Sequence, residues 1–298
     1  MTAAARFIDP MVLARIDNLD LLARRVVDGF ISGLHRAAQL GVSTDFAEHR
    51  AYTPGDDIRR IDWRVFARTD RLYIKTFEAE TNADVVFALD CSASMGFASG
   101  GLSKFDYARF TVASLVHLAS RQRDRIGFSA FTDQLLEPIP PSARHRDTVL
   151  RTLDRLTAAG PGDLSTALAR LGQSLGRRGV VVVVSDFYEQ PQRVAGALDQ
   201  LRIRGQDVIA LHILDPLERD LDLGGTLVLE DLESGQRLPV APQAIREEYR
   251  QLVEAHITAL GQACGARQTD YGQFTTDQPL DRILFHYLSD RVRLTRVR

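Results

Sequence analysis

Hydrophobic and polar positions change their period several times along the chain. Between residues 11 and 40, Leu19, Leu22, Val26 and Phe30 recur at three- and four-residue spacing, and Gly41 stands where a helix would stop. The spacing predicts a helix with one packing face. From residue 83 onward short apolar runs alternate with amphipathic stretches. The run 84–89 has the length and β-branched content of a buried strand. A helix over 105–122 follows, with Phe110, Ala113, Leu115 and Leu118 toward the core. Runs 125–131 and 135–139 predict two strands joined by the turn 132–134, then helices over 147–156 and 164–175. The run 179–185 is apolar enough to be covered on both faces. It is followed by a predicted helix over 191–204 and a strand over 207–214. Further on, 226–231 and 236–240 predict a small hairpin around Glu233-Ser234-Gly235. A helix is expected over 243–264, its apolar side carrying Ile245, Tyr249, Leu252, Val253 and Leu260. The stretch 267–271 reads as a last edge strand and 282–288 as a final helical turn or two. This alternation predicts an α/β fold built on a doubly wound, mostly parallel sheet.

Between the first helix and the sheet the character changes. Residues 45–80 mix acidic and basic side chains densely with aromatics and the single tryptophan, Trp63. Pro54-Gly55-Asp56-Asp57 is a turn signal that places two carboxylates together. The segment reads first as an internal ion-pair network, because arginine presents a planar fork that matches carboxylates. Its second reading is a docking surface, since Trp, Tyr and Arg anchor interfaces. The expected division is an N-terminal helical and charged module over 1–80 and a sheet domain over 81–298 that includes the hairpin.

Composition narrows the class. Of 298 residues, 45% are hydrophobic and 26% charged, and the net charge is −2. That balance supplies no field to draw the chain to nucleic acid or an anionic membrane. No apolar run approaches the length needed to span a bilayer, and the first nine residues lack a secretory core, so a cytoplasmic location is expected. Two cysteines, Cys91 and Cys264, make neither a disulfide framework nor a zinc pair, and the seven histidines fall in no ligand or triad pattern. Cys91 reads as a small packed residue.

The candidate chemistry lies at strand ends. Asp90-Cys91-Ser92-Ala93-Ser94 brings a carboxylate and two hydroxyls together where the first strand stops. Oxygen donors in a compact set suit a hard cation such as Mg²⁺; small polar residues also cap strands, so both readings stand on residue types alone. Asp186 sits at the carboxyl end of the 179–185 run. In open α/β sheets, ligands bind outside the carboxyl ends of strands where the strand order reverses. If the two strands are neighbours, Asp90 and Asp186 converge on one crevice.

Asp90-x-Ser92-x-Ser94 with a later strand-end Asp186 resembles the metal-ion-dependent adhesion site of von Willebrand factor A domains. The upstream Glu48-x-Arg50-x-Tyr52-x-Pro54-Gly55-Asp56-Asp57-x-Arg59-x-Ile61-Asp62-Trp63, followed by Ala67-Arg68 and Lys75, resembles the signature of the bacterial domain-of-unknown-function 58 family. The resemblance spans about residues 10–290. It implies a von Willebrand factor A or Rossmann-like domain in which Asp90, Ser92, Ser94 and Asp186 hold Mg²⁺ or Mn²⁺ and an open position accepts an acidic side chain of a partner. The family loop that carries a Thr is here Gly160-Pro161-Gly162-Asp163-Leu164-Ser165-Thr166-Ala167-Leu168, with Gly162 at the Thr position. Thr166 falls out of register inside the next helix, and a water or Asp163 is left to replace the hydroxyl.

The expected function is therefore a non-enzymatic interaction module. The resemblance implies a MoxR-type AAA+ ATPase as its partner, in a chaperone-like or complex-assembly role. An ion-free scaffold is the alternative, resting on Gly162. A Mg²⁺-dependent phosphatase-like hydrolase is the third reading, but Ser92 stands where those enzymes carry an acid/base carboxylate, and a serine cannot do that work near neutral pH. The stretch 96–104 ends in Ser103-Lys104 and lacks the order of a phosphate loop.

Overall fold

The structure is a computed structural model that describes residues 18–39, 49–51, 73–75, 83–176 and 178–296. Its elements are α1 (Leu19–Gln39), β1 (His49–Ala51), β2 (Tyr73–Lys75), β3 (Asp84–Asp90), α2 (Lys104–Arg121), β4 (Arg125–Phe131), β5 (Leu135–Ser142), α3 (Arg146–Arg155) and α4 (Leu164–Ser174). They continue with β6 (Gly179–Ser185), α5 (Pro191–Ile203), β7 (Asp207–Leu214), α6 (Pro216–Asp220), β8 (Leu227–Glu230), β9 (Arg237–Val240), α7 (Pro242–Gly265), β10 (Asp270–Thr275) and α8 (Asp281–Arg296).

Six strands form one sheet in the order β10-β7-β6-β3-β4-β5. Every pairing is parallel except β4 with β5. The antiparallel strand sits at the edge and carries Pro138, Pro140 and Pro141. Proline cannot donate to a ladder, so an edge is where such a strand is tolerated, and its register shifts beside Phe128. The chain enters at β3, runs outward to β5, then returns to lay β6 on the other side of β3. The switch in strand order therefore falls between β3 and β6.

Side chains on the central strands alternate between two cores. Val85, Phe87 and Leu89 of β3, with Val180, Val182 and Val184 of β6, face α1, α2, α3 and α8. Val86, Ala88, Val181 and Val183 face α4, α5 and α7. This period of two, with both faces apolar, is why β6 reads as an unbroken valine run. Leu22, Val26, Val27 and Phe30 of α1 are buried in the first of these cores, so the predicted packing face is a packing face. Ion pairs Arg121–Asp28 and Arg146–Asp20 fasten the same helix to α2 and α3.

Several bounds differ from expectation. The last edge strand begins at Asp270, because its register against Ile209 starts there, and the residues before it form the turn after α7 with Gln268 at φ 54°. The terminal helix is twice as long as expected, since Leu280, Ile283, Leu284 and Tyr287 are all buried against the first core. The hairpin forms as predicted from β8 and β9. Of the charged segment 45–80, only the antiparallel ladder of β1 with β2 falls within the described residues. The first part of the 11–40 helix lies outside them as well.

Candidate functional site

β3 and β6 are hydrogen-bonded neighbours at the centre of the sheet; Asp90 is the last residue of β3 and Asp186 directly follows β6. Asp90 is 5% and Asp186 3% exposed. Cys91 N–H donates to Phe131 O at 2.8 Å and Ala93 N–H to Gly160 O at 2.8 Å, so the loop after β3 is laced to the ends of β4 and to the loop before α4. A 3₁₀ turn, Ala93–Gly96, then leads the chain toward α2, with Met95 buried beneath it.

Each oxygen of Asp90 is engaged. Oδ1 accepts from Ser92 N–H at 2.8 Å and Oδ2 from the Ser185 hydroxyl at 2.6 Å. Burial, then the neighbouring Asp186 carboxylate, pushes Asp90 up to about 7. The Ser92 and Ser94 hydroxyl oxygens lie 3.1 Å apart. Adjacent oxygens on a small octahedral cation with bonds of about 2.1 Å stand about 3 Å apart, so this pair is spaced as neighbouring ligands would be.

Asp186 meets a feature that the sequence reading did not find. Lys104, fully buried at the first position of α2, places Nζ 2.7 Å from Asp186 Oδ2 and 2.8 Å from Glu218 Oε1 of α6. Its ammonium also lies 4.6 Å from the centroid of the Tyr188 ring. Burial pulls the Lys104 pKa down, but Asp186 and Glu218 more than reverse this, and the net shift is upward. Burial raises Glu218 in spite of Lys104. Lys104 thus holds two carboxylates, and the Asp90 carboxyl lies beside one of them, an acidic excess held out of water. A second tie runs nearby: Asp215 Oδ2 accepts from Ser99 N–H at 2.9 Å, which joins the loop after β3 to the cap of α6.

The sequence did hold a signal for Lys104. A cation in the first turn of a helix opposes the macrodipole, so a lysine directly after the N-cap Ser103 needs an anionic partner from elsewhere.

The remaining expected donor is held by the helix it caps. Asp163 is the N-cap of α4, with Oδ1 accepting from Thr166 N–H at 3.0 Å and Oδ2 from the Thr166 hydroxyl at 2.8 Å. These bonds hold its carboxyl below the usual range. Thr166 is indeed inside the helix with its hydroxyl on Asp163. At Gly162 a β-carbon would meet Ser92 Cβ at 3.2 Å, Ser92 Oγ at 3.5 Å and Glu233 Oε1 at 3.5 Å. A side chain there would point at Ser92, into space that the hairpin carboxylate borders.

Asp90, the Ser92 and Ser94 hydroxyls and the Asp186 oxygen that Lys104 leaves are donors of the type a hard divalent cation takes. The fit rests on hydroxyls, since no group of three or more His, Cys, Asp or Glu side chains converges as a metal cluster among the described residues. Such an ion would offset the acidic excess and supply an electrophilic position for a carboxylate. Cys91 is no nucleophile: burial, then Asp90, pushes its thiol up to about 12.

The profile of the family described as "Protein of unknown function DUF58" matches residues 48–259. Uncharacterized protein Rv1480 of Mycobacterium tuberculosis (strain ATCC 25618 / H37Rv) is 30% identical over 273 residues, covering 87% of this chain and 84% of its own length. Among solved structures, the conserved hypothetical protein BatB from Bacteroides thetaiotaomicron superposes with a TM-score of 0.50 at 15% identity, over 71% of this chain and 99% of that one. The SpRpn10 VWA domain aligns at a TM-score of 0.42 and 12% identity, over 68% of this chain and 94% of that one. The α/β fold on a mostly parallel sheet is as expected, and it is shared with BatB. No helix among the described residues is long and apolar enough to cross a membrane.

Proposed function

The chain belongs to the family described as "Protein of unknown function DUF58", and from that premise we propose that it is a non-enzymatic interaction module that holds a protein partner through a divalent cation at the switch point. One observation carries the reading. Asp90 and Asp186 are buried side by side at the ends of β3 and β6, next to a hydroxyl pair with ligand spacing. Two carboxylates kept out of water repel one another unless a proton or a cation separates them. In this reading Asp90, Ser92, Ser94 and Asp186 hold Mg²⁺ or Mn²⁺, and a position on the ion stays open for an acidic partner residue. The partner is a MoxR-type AAA+ ATPase, as the sequence resemblance implies, and the role is chaperone-like or complex assembly. Ser92, two residues beyond Asp90, stands where a phosphatase of that kind carries its acid/base carboxylate.

The test is capture of the ATPase by the full chain with Mg²⁺ and with excess chelator, repeated with Asp90→Ala. Capture in Mg²⁺ that both chelator and the substitution abolish is the expected result. Undiminished capture in chelator would sink the metal-dependent form. It would support the ion-free scaffold, which Lys104 favours as a resident counter-cation to Asp186.

A further inference from the structure

The hairpin β8–β9 reaches back over the switch point. Its turn is set by Asp231, whose Oδ1 accepts from Glu233 N–H at 2.8 Å and from Ser234 N–H at 3.0 Å, and by Gly235 at φ 70°. That geometry delivers the Glu233 side chain to the loop before α4, where Oε2 accepts from Gly162 N–H at 3.2 Å. Oε1 lies 3.5 Å from the point a β-carbon would occupy at Gly162, and Ser92 Oγ lies 3.5 Å from that same point. The carboxylate and the Ser92 hydroxyl therefore flank one small volume, which is free because residue 162 has no side chain.

The charge arrangement is the second observation. Glu233 is exposed and pairs with no Lys, Arg or His among the described residues, yet it approaches a site already rich in carboxyl groups. Asp186, nearly fully buried, gives one oxygen to Lys104, and no hydrogen bond among those described reaches the other. Bringing a further anion toward such a site is unfavourable unless a cation stands between them.

We propose that Glu233 belongs to the cation site: the hairpin supplies from outside the sheet the oxygen that the loop before α4 lacks at Gly162, and cation binding fastens the hairpin over the switch point. The inference rests on the divalent-cation reading above and adds a residue and a moving part to it. Between the hairpin and the body lies a cavity of about 260 Å³, lined by Ser94, Phe97, Leu217, Leu229, Leu232 and Tyr249 among others. The hairpin therefore stands on a space into which it can close. Lifting the hairpin would uncover the apolar surface beside Ser94.

The experiment is a calorimetric Mn²⁺ titration of the full chain, of Glu233→Gln and of Asp90→Asn, with amide hydrogen exchange of residues 227–240 measured with and without the ion. Glutamine keeps the length of the side chain, and Asp231 keeps the turn. Expected are Mn²⁺ binding by the unsubstituted chain, a loss of affinity of tenfold or more in Glu233→Gln, and no binding in Asp90→Asn. Exchange in the hairpin should slow with Mn²⁺ in the unsubstituted chain and stay unchanged in Glu233→Gln. Equal affinity in the unsubstituted chain and Glu233→Gln, with equal exchange, overturns the role of Glu233 and leaves the cation site standing. Absence of Mn²⁺ binding to the unsubstituted chain overturns both.

Discussion

Lys104 Nζ lies 2.7 Å from Asp186 Oδ2 with the lysine fully buried. The pair joins the first turn of α2 to the residue that follows β6, across the line where the strand order reverses. Removing one member of such a pair leaves the other as an uncompensated buried charge, which costs about 3–5 kcal/mol. Lys104→Met keeps the length of the stem and deletes the ammonium, so it strands Asp186 and Glu218 together. Urea denaturation of the metal-free chain should show that loss, and Lys104→Met combined with Glu218→Gln should regain part of it. The same single substitution releases Asp186 Oδ2, so Mg²⁺ should bind it more tightly than it binds the unsubstituted chain. A Lys104→Met chain as stable as the original would remove the pair from the account of this pocket.

Asp90 sets a pH dependence whose sign is unusual for a carboxylate. Burial and Asp186 raise it from 3.8 to about 7 in the folded chain. Between those values the folded state binds a proton that the unfolded state has lost, so stability falls as pH rises across that window. At 1.36 kcal/mol for each unit the contribution is on the order of a few kcal/mol, complete below the unfolded value and gone above about pH 7. In chelator, midpoints of urea unfolding at pH 5 and pH 8 should differ more in the unsubstituted chain than in Asp90→Asn. Mg²⁺ at pH 8 should restore stability to the former and not to the latter. Parallel pH profiles for the two proteins would contradict the burial of an ionisable Asp90 beside Asp186.

The elements that were legible in the sequence are those whose signal is local. Val180 to Val184 is apolar on both faces and could be little other than a central parallel strand, and Asp90 and Asp186 were marked by following such runs. Their convergence depended on strand order, which no local pattern encodes. The roles of Lys104 and Glu233 depended on partners 82 and 71 residues away. Glu233 looked ordinary in its own window, as a turn residue, and Lys104 showed only as a cation set against a helix dipole, with nothing local to name its partners. Asp163 shows the reverse case: its carboxylate drew notice as a cation donor, while the short-range geometry of an N-cap three residues before Thr166 commits both oxygens.

Asp163 also differs from Asp90 and Asp186 in being only half-buried, at the start of a helix rather than at a strand end. Asp163→Ala removes the cap of α4 and should cost about 1 kcal/mol, within the 0.5–2 kcal/mol range of such losses. Mn²⁺ affinity measured by calorimetry on the same protein should stay within a factor of a few. A loss comparable to that of Asp90→Asn would instead make Asp163 a donor and require it to leave Thr166.

Gly162 gives the sharpest separation between packing and chemistry. No positive φ marks this glycine, so the backbone itself admits a side chain; the constraint is Ser92, whose Cβ would stand 3.2 Å from a new β-carbon. Gly162→Ala therefore needs Ser92 to give way by a few tenths of an ångström, and at this exposed position should shift stability by no more than about 1 kcal/mol. Gly162→Thr adds a hydroxyl and a methyl in the gap that Glu233 borders, so it should push the Glu233 carboxylate off Gly162 N–H and loosen the hairpin. Hydrogen exchange over residues 227–240 in the metal-free chain should rise in Gly162→Thr and change less in Gly162→Ala. Mn²⁺ affinity distinguishes the two consequences of the threonine. If the new hydroxyl takes the place of Glu233 at the ion, Gly162→Thr binds Mn²⁺ and the further change Glu233→Gln costs it nothing. If Glu233→Gln weakens binding as much in the threonine background as in the glycine one, the two side chains do not compete for a shared position.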